Sequence, residues 1–252
     1  MIPVKTDAEL AAMRASGRLA AGVLQRLAVA VVPGIATAEL DALARELLRE
    51  RGATSAFLGY RGFPGAICVS VNEEVIHGVP GRRRIVPGDL VALDVGVRYE
   101  GFIGDTATTV MVGVADPECV RLVTATQRAL DAGIAAVRPG ARLSDVSHAV
   151  ETAVTAGGCS VVRAFVGHGV GRELHEEPQV PNYGRPGCGP VLQAGMTFCI
   201  EPMVNLGRSE VEVLADGWTV VARDGRPSAH FEHTVAVRTG GVEVLTPVPE
   251  KI

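Results

Sequence analysis

Two carboxylates stand where carboxylates are costly. Asp94 lies inside the apolar run LVALDVGV, and Glu201 lies inside TFCIEPMV. Two more, Asp105 in GDTATTV and Glu232 in FEHTVAV, are expected to open strands further along. An ionised carboxylate in apolar surroundings is strongly disfavoured unless a cation compensates it. Neither apolar run contains a Lys or Arg. One such acid would read simply as an edge or loop residue facing water. Four, paired between two similar halves of the chain, point to convergence on cations. Two divalent ions with a bridging hydroxide nearly neutralise four carboxylates, and a neutral cluster can be buried.

Histidines supply the nitrogen such a centre needs. The stretch FVGHGVGRELHEEP carries His168 and His175 among glycines. Its spacing is not HExxH, the helical zinc-protease pattern. The glycines are expected to let the backbone bend and approach a ligand closely. His168 is then a candidate ligand, with His175 facing the same cleft. His77, in NEEVIHGVP, is a third candidate. Taken singly, each would be an ordinary packed or surface histidine; the acids give them weight. Oxygen-rich ligation with one histidine suits Mn, Fe(II), Co or Zn. The chemistry implied is metal-assisted hydrolysis of a carbonyl compound, with free histidines donating to a developing oxyanion.

These residues must be positioned by helices and strands that the sequence also announces. Thr6 to Glu9 form a capping box, followed by a helical stripe of Leu10, Met13, Ala20, Leu24, Leu27 and Val31. Leu40, Leu43 and Leu47 mark a second helix. Asp116-Pro117 opens a third, with Val123, Leu130, Ile134 and Val137 on its stripe. Val146, Ala149, Val150 and Ala153 mark a fourth. Strand-like runs, short and β-branched, are expected at 66–71, 90–97, 107–112, 196–204 and 233–237.

The order of these elements repeats. VPGIATAEL (32–40) matches RPGARLSDV (138–146), PGDLVALDVG (87–96) matches AGMTFCIEPM (194–203), and GDTATTV (104–110) resembles FEHTVAV (231–237). The pattern predicts an internal duplication. Two αβ halves would pack about a pseudo-twofold axis into one α+β domain spanning residues 1–252.

Composition narrows the function classes. The net charge of −4 lacks the basic footprint of a nucleic-acid binder. The run Arg82-Arg83-Arg84 reads as a solvated turn. The five cysteines are odd in number and form no CxxC pair, which argues against a disulfide framework or thiolate zinc site. No signal peptide or membrane span is read, so a cytoplasmic protein is expected.

The set NEEVIHG, LDVG, GFIGDTA, GHGVGRELHEEP, MTFCIEPMV and HFEHTVAV closely resembles the type I methionine aminopeptidases, over nearly the whole chain. That family has the pita-bread fold and removes the initiator methionine from nascent proteins whose next residue is small. The resemblance implies that Asp94 chelates one metal, that Asp105 and Glu232 bridge both, and that His168 and Glu201 complete the second site. It implies a general-base role for Glu201, a substrate hydrogen bond from His77, and carbonyl polarisation by His175. Tyr60, Phe63, Cys68 and Trp218 would line an apolar pocket for methionine. Asn72, Glu74 and Ser228 would hold a structural monovalent cation, as in some relatives. The implied partners are nascent polypeptide N-termini near the ribosome, with no nucleic acid and no membrane, the enzyme acting as a monomer.

Glu201 and Glu232 stand too close in sequence for the helical insertion of the type II enzymes. The chain departs from the family pattern at Arg61, Phe57, Leu174 and His230, which bears on pocket shape and on access for the second substrate residue. Two alternatives remain: an Xaa-Pro aminopeptidase or prolidase, whose large extra N-terminal domain has no room ahead of Asp94, and a non-catalytic pita-bread binding protein, which typically loses ligands.

Overall fold

The structure is a computed structural model and describes residues 1–247; the last five residues of the expected domain lie outside the described part. Two helices open each half. In the first, α1 (Asp7–Ala30) and α2 (Thr37–Glu50) lead to β1 (Thr54–Ser55), β2 (Cys68–Val71), β3 (Glu74–Ile76), β4 (Leu90–Tyr99) and β5 (Phe102–Met111). In the second, α3 (Pro117–Ala136) and α4 (Leu143–Ala156) lead to β6 (Ser160–Val161), β7 (Gly167–Gly169), β8 (Glu176–Val180), β9 (Thr197–Ile200) and β10 (Met203–Asn205). They are followed by β11 (Val211–Val213), β12 (Val220–Ala222), β13 (Ser228–His230), β14 (Glu232–Arg238) and β15 (Gly241–Val244).

The caps act as the sequence predicts. The Thr6 side chain accepts from the Glu9 N–H, and Glu9 returns a bond to Thr6 N–H at 2.9 Å. Asp116 accepts from Glu118 N–H at the start of α3. α2 and α4 each use half of that device: Glu39 bonds the Ala36 N–H and Asp145 bonds the Arg142 N–H.

One nine-stranded antiparallel sheet follows the path β1-β4-β5-β14-β9-β7-β8, with β2 added to β4 and β15 to β14. Alternation sorts its side chains. Leu93 and Val95 face the helical layer of α1 and α2, so Asp94 between them faces the other way. Phe198 and Ile200 face α3 and α4, which turns Cys199 and Glu201 to the same inner face as Asp94. The two largest core clusters are therefore helix-on-sheet layers, one per half, behind a common concave surface, and two smaller clusters join residues of both halves.

The duplication extends to individual hydrogen bonds. Gly34 N–H donates to Ile85 O, and Gly140 N–H donates to Leu192 O. Ala36 bridges Arg84 as Arg142 bridges Val191. Gly88 N–H reaches Val112 O at the end of β5, and Gly195 N–H reaches Val237 O in β14. All four glycines have positive φ, between 86° and 101°, where a side chain would be strained.

Three expectations are corrected. The strand expected at 107–112 begins at Phe102, so Asp105 lies within β5 rather than at its opening. The run 196–204 is two strands, interrupted at Glu201-Pro202, because Pro202 has no N–H for a ladder; β10 continues into a separate sheet with β6 and β13. The segment does bend, at residues 171–175, but Gly167 and Gly169 precede that bend. They lie in β7, where an added Cβ would fall 2.4 Å from Cys199 O or 2.2 Å from Glu177 O, so they permit close strand packing. The Arg82–Arg84 run is exposed, as expected, and its side chains tie the turn down: Arg83 pairs with Glu74 at 2.8 Å and Arg84 donates to Gly34 O.

Candidate metal centre and active site

Cross-strand register assembles the acids. Cys68 lies opposite Asp94, Asp94 opposite Ala107, and Ala107 opposite Glu232. The β14–β9 register, with His233 opposite Ile200, carries on to set Glu201 across from Glu232. Asp105 lies two residues before Ala107 on the same strand and hence on the same face. Ala107 is the smallest side chain in this row and leaves space between Asp94 and Glu232.

This row crosses the seam between the halves. The β5–β14 ladder there is only two residue pairs long. Threonine hydroxyls take over at both ends. Thr234 Oγ1 accepts from Asp105 N–H at 3.1 Å and donates to Asp105 O at 2.8 Å. Thr109 Oγ1 does the same for His230, at 3.0 and 2.8 Å. Thr106 Oγ1 donates to Glu232 O.

The carboxylates lack partners. Asp94 Oδ1, Asp105 Oδ1, Glu201 Oε1 and Glu232 Oε1 are each buried with no hydrogen bond. Among the described residues, the only ion-pair neighbours of these acids are His168 and His230. Burial first, then mutual repulsion, pushes Asp94, Glu201 and Glu232 well above the ordinary carboxylate range. Burial raises Asp105 to about 7. Four orphaned oxygens on one face form a donor set that divalent cations fit, because nothing else present satisfies them.

His168 is oriented toward them. Its Nδ1–H donates to Gly169 O at 3.1 Å, which leaves the Nε2 lone pair free. Nε2 stands 3.4 Å from Glu201 Oε1 and 3.9 Å from Asp105 Oδ2. Burial, followed by the neighbouring His175, lowers His168 to about 3, so the ring is neutral. Ligand-type atoms of Asp105, His168, Glu232 and Cys199 lie within 4.8 Å of one another. Sequence reading did not single out Cys199; its place two residues before Glu201 on a strand was the available signal.

Two further histidines face the centre. The His168 and His175 ring centroids are 4.2 Å apart. The Tyr60 hydroxyl bonds His175 Nδ1 at 2.8 Å and stacks on its ring. A phenol that donates to Nδ1 leaves Nε2–H as the free donor of His175. Burial, then the charge of Arg61, lowers the His175 pKa. His77 packs edge-on to Phe165 and Trp218, and burial lowers it to about 4. Its φ of +58° is unusual for a non-glycine residue and marks a held conformation.

The loop carrying His175 is anchored by a pair that sequence reading missed. Lys5 Nζ meets Glu176 Oε2 at 2.5 Å, with both side chains largely buried. Glu176 Oε1 also accepts from the Arg172 and Glu173 N–H groups. Nothing in the local pattern around Lys5 announces this partner, which lies in the other half.

Acids and histidines form the floor of a cavity of about 280 Å³. Its walls include the expected Tyr60, Phe63, Cys68 and Trp218, the departures Arg61, Phe57 and Leu174, and the unforeseen Ile76, Phe165 and Val166. Phe63 and Trp218 meet edge to face at 5.1 Å. His230 is buried behind this wall, with Nε2 3.9 Å from Glu201 Oε2. Asn72, Glu74 and Ser228 also lie close together: Ser228 N–H donates to Asn72 O, and Glu74 accepts from Val71 N–H and Arg83.

A hydrolase centre of this kind on a curled, duplicated sheet has known counterparts. Residues 11–239 match the profile of metallopeptidase family M24, and the chain belongs to that family. Within it, the chain is 48% identical to methionine aminopeptidase 1 of Bacillus subtilis, over 98% of this chain and 100% of that protein. The crystal structure of methionine aminopeptidase from Rickettsia prowazekii superposes with a TM-score of 0.96 at 40% identity, covering 98% of this chain and 100% of that one. The Thermotoga maritima methionine aminopeptidase gives 0.96 at 46% identity, over 98% and 99% of the two chains. A prolidase from Pyrococcus furiosus shares the fold at a TM-score of 0.79 and 22% identity, and the chain spans only 66% of its length.

Proposed function

We propose that this protein is a methionine aminopeptidase that releases the N-terminal methionine of nascent chains whose second residue is small. The observation that carries the reading is the row of four buried carboxylates, each with an orphaned oxygen, beneath an apolar cavity. Full-length similarity to methionine aminopeptidases supports the same substrate.

Asp94, Asp105, His168, Glu201 and Glu232 would hold two divalent ions, drawn from Co, Mn, Fe(II) or Zn. When bound, the ions supply Lewis acidity and lower the pKa of a water. The methionine side chain fills the lobe formed by Tyr60, Phe63, Cys68 and Trp218. Glu201 accepts a proton from the attacking water at Oε1. His175 Nε2–H donates to the scissile carbonyl oxygen, a bond that strengthens as negative charge develops there. His77, neutral and fixed by its aromatic neighbours, donates to the substrate near the scissile peptide.

The enzyme acts as a single domain and a monomer in the cytoplasm, on chains emerging near the ribosome. Five free cysteines and the absence, among the described residues, of any helix able to cross a membrane accord with that setting. A structural monovalent cation at Asn72, Glu74 and Ser228 belongs to the same proposal.

Hydrolysis of Met-Ala-Ser by chelator-stripped protein tests the reading. Each metal is restored singly, with Ala-Pro-Ala as control. Metal-dependent methionine release without cleavage of the control is the expected result. Cleavage of Ala-Pro-Ala alone would assign a prolidase, and cleavage of neither would leave a binding protein.

A further inference from the structure

The mouth of the cavity carries an isolated positive charge. Among its lining residues, Arg61 is the only Lys or Arg. Its guanidinium carbon stands 5.4 Å from the Tyr60 ring centroid and, among the described residues, it pairs with no carboxylate. An unpaired surface arginine is ordinary, but this one is held in an unusual way. Arg61 adopts φ 49°, ψ 24°, a left-handed conformation that is uncommon for a residue with a Cβ. The loop that imposes it is closed by bonds from Gly59 N–H to Phe63 O, Gly62 N–H to Gly59 O and Phe63 N–H to Tyr60 O. The left-handed turn presents the cation at the rim, beside the tyrosine that orients His175.

Topology decides what such a cation meets. The proposed activity, on which this inference rests, engages the free amine and the methionine side chain inside the cavity. Only the part of the substrate beyond the scissile bond can then leave through the mouth. His175 Nε2–H marks the scissile carbonyl. Arg61, exposed and lining the same cavity, lies within two ring-scale contacts of it, of 5.3 Å and 5.4 Å. An extended chain advances about 3.3–3.6 Å per residue, so that reach covers up to about three residues. We infer that Arg61 is a specificity residue that selects acidic side chains at the third or fourth position of the substrate. A guanidinium offers a planar fork matched to carboxylate geometry, and its preset backbone lowers the entropy lost on pairing.

The test compares kcat/KM for Met-Ala-Glu-Ser, Met-Ala-Lys-Ser and Met-Ala-Gln-Ser, and for Met-Ala-Ser-Glu against Met-Ala-Ser-Lys. The metal-loaded enzyme and its Arg61→Glu variant are assayed in parallel. The native enzyme should favour the glutamate peptide over the lysine peptide by about fivefold or more in at least one series. That ratio should shrink at high salt, because the rim is solvated. Arg61→Glu should invert it. Equal native rates for the Glu and Lys peptides in both series, with the Gln peptide turned over, would overturn this inference and leave the aminopeptidase reading intact. A Glu preference that survives in Arg61→Glu would also overturn it. Failure to release methionine from the neutral Gln peptide would overturn the parent reading instead.

Discussion

The hydroxyl of Thr234 stands in for a missing stretch of β-ladder, accepting from the N–H of Asp105 and donating to its carbonyl. Thr234 is fully buried, so neither Asp105 group can turn to water if the hydroxyl is removed. Thr234→Val keeps the shape and strands both groups, at about 1–3 kcal/mol each. Chemical denaturation should show a loss of about 2 kcal/mol or more, accompanied by weaker metal binding as Asp105 loses its fixed backbone. Thr234→Ser should recover most of both.

Metal-free protein should become less stable as pH rises above about 6.5. The histidines oppose this at first: burial lowers them in the folded state, so near pH 6.5 only the unfolded state still protonates them, a stabilising slope that fades by about pH 7.5. The carboxylates set the destabilising slope. Burial raises Asp105 to about 7, and burial with mutual repulsion pushes Asp94, Glu201 and Glu232 well above the ordinary carboxylate range. The folded state therefore keeps protons that the unfolded state has already lost, and stability falls as pH climbs through the folded values. Melting temperatures from pH 6.5 to 8 should drop by about 5 °C in chelator-treated protein. Metal-saturated protein should show a much shallower slope, since bound cations displace those protons. A flat profile without metal would contradict the clustering of the four acids.

Lys5→Met should damage both stability and turnover. Removing one partner of a buried pair leaves Glu176 uncompensated, at a cost of about 3–5 kcal/mol. Glu176 also gathers the N–H groups of the loop that carries His175. Activity at temperatures where the variant is fully folded should fall mainly in kcat. Pairing Lys5→Met with Glu176→Gln should restore part of the stability, because the amide still accepts from the loop without carrying charge.

Tyr60→Phe keeps the ring that stacks on His175 and deletes the hydroxyl that is hydrogen-bonded to its Nδ1. The imidazole can then carry its proton on either nitrogen. Steady-state assays should show kcat lower by about five- to tenfold, the equivalent of roughly one hydrogen bond, with KM little changed. A KM effect alone would place Tyr60 in methionine binding and not in the orientation of His175.

The helices and the acids were legible for separable physical reasons. Thr6, Asp116 and the apolar stripes act locally, so α1 and α3 could be read from their own residues. Asp94 and Glu201 drew notice because a charge amid β-branched residues demands an explanation. The duplication was legible because matching turns recur in the same order, and it proved to extend to backbone bonds at Gly34 and Gly140. What escaped depends on residues distant in sequence. Thr234 is an ordinary strand residue until β5 lies beside it. Lys5 is an ordinary surface lysine until Glu176 reaches it from the other half. The glycines beside His168 suggest a bend, which the chain makes at 171–175, whereas the demand at Gly167 and Gly169 themselves comes from Cys199 and Glu177 pressing against β7.

The seam between the halves has a mechanical meaning. Asp94 and Asp105 come from one half, and His168, Glu201 and Glu232 from the other, while the direct ladder between β5 and β14 is two residue pairs long. Cations seated among these residues would rivet the halves where the ladder between them is shortest. The joint has other members: Lys5 meets Glu176, β3 pairs with β12, and two apolar clusters draw side chains from both halves. Extraction of the rivets then loosens the seam around the acids while the rest of the joint holds. Catalytic competence and the closeness of the halves at that row then depend on the same ions.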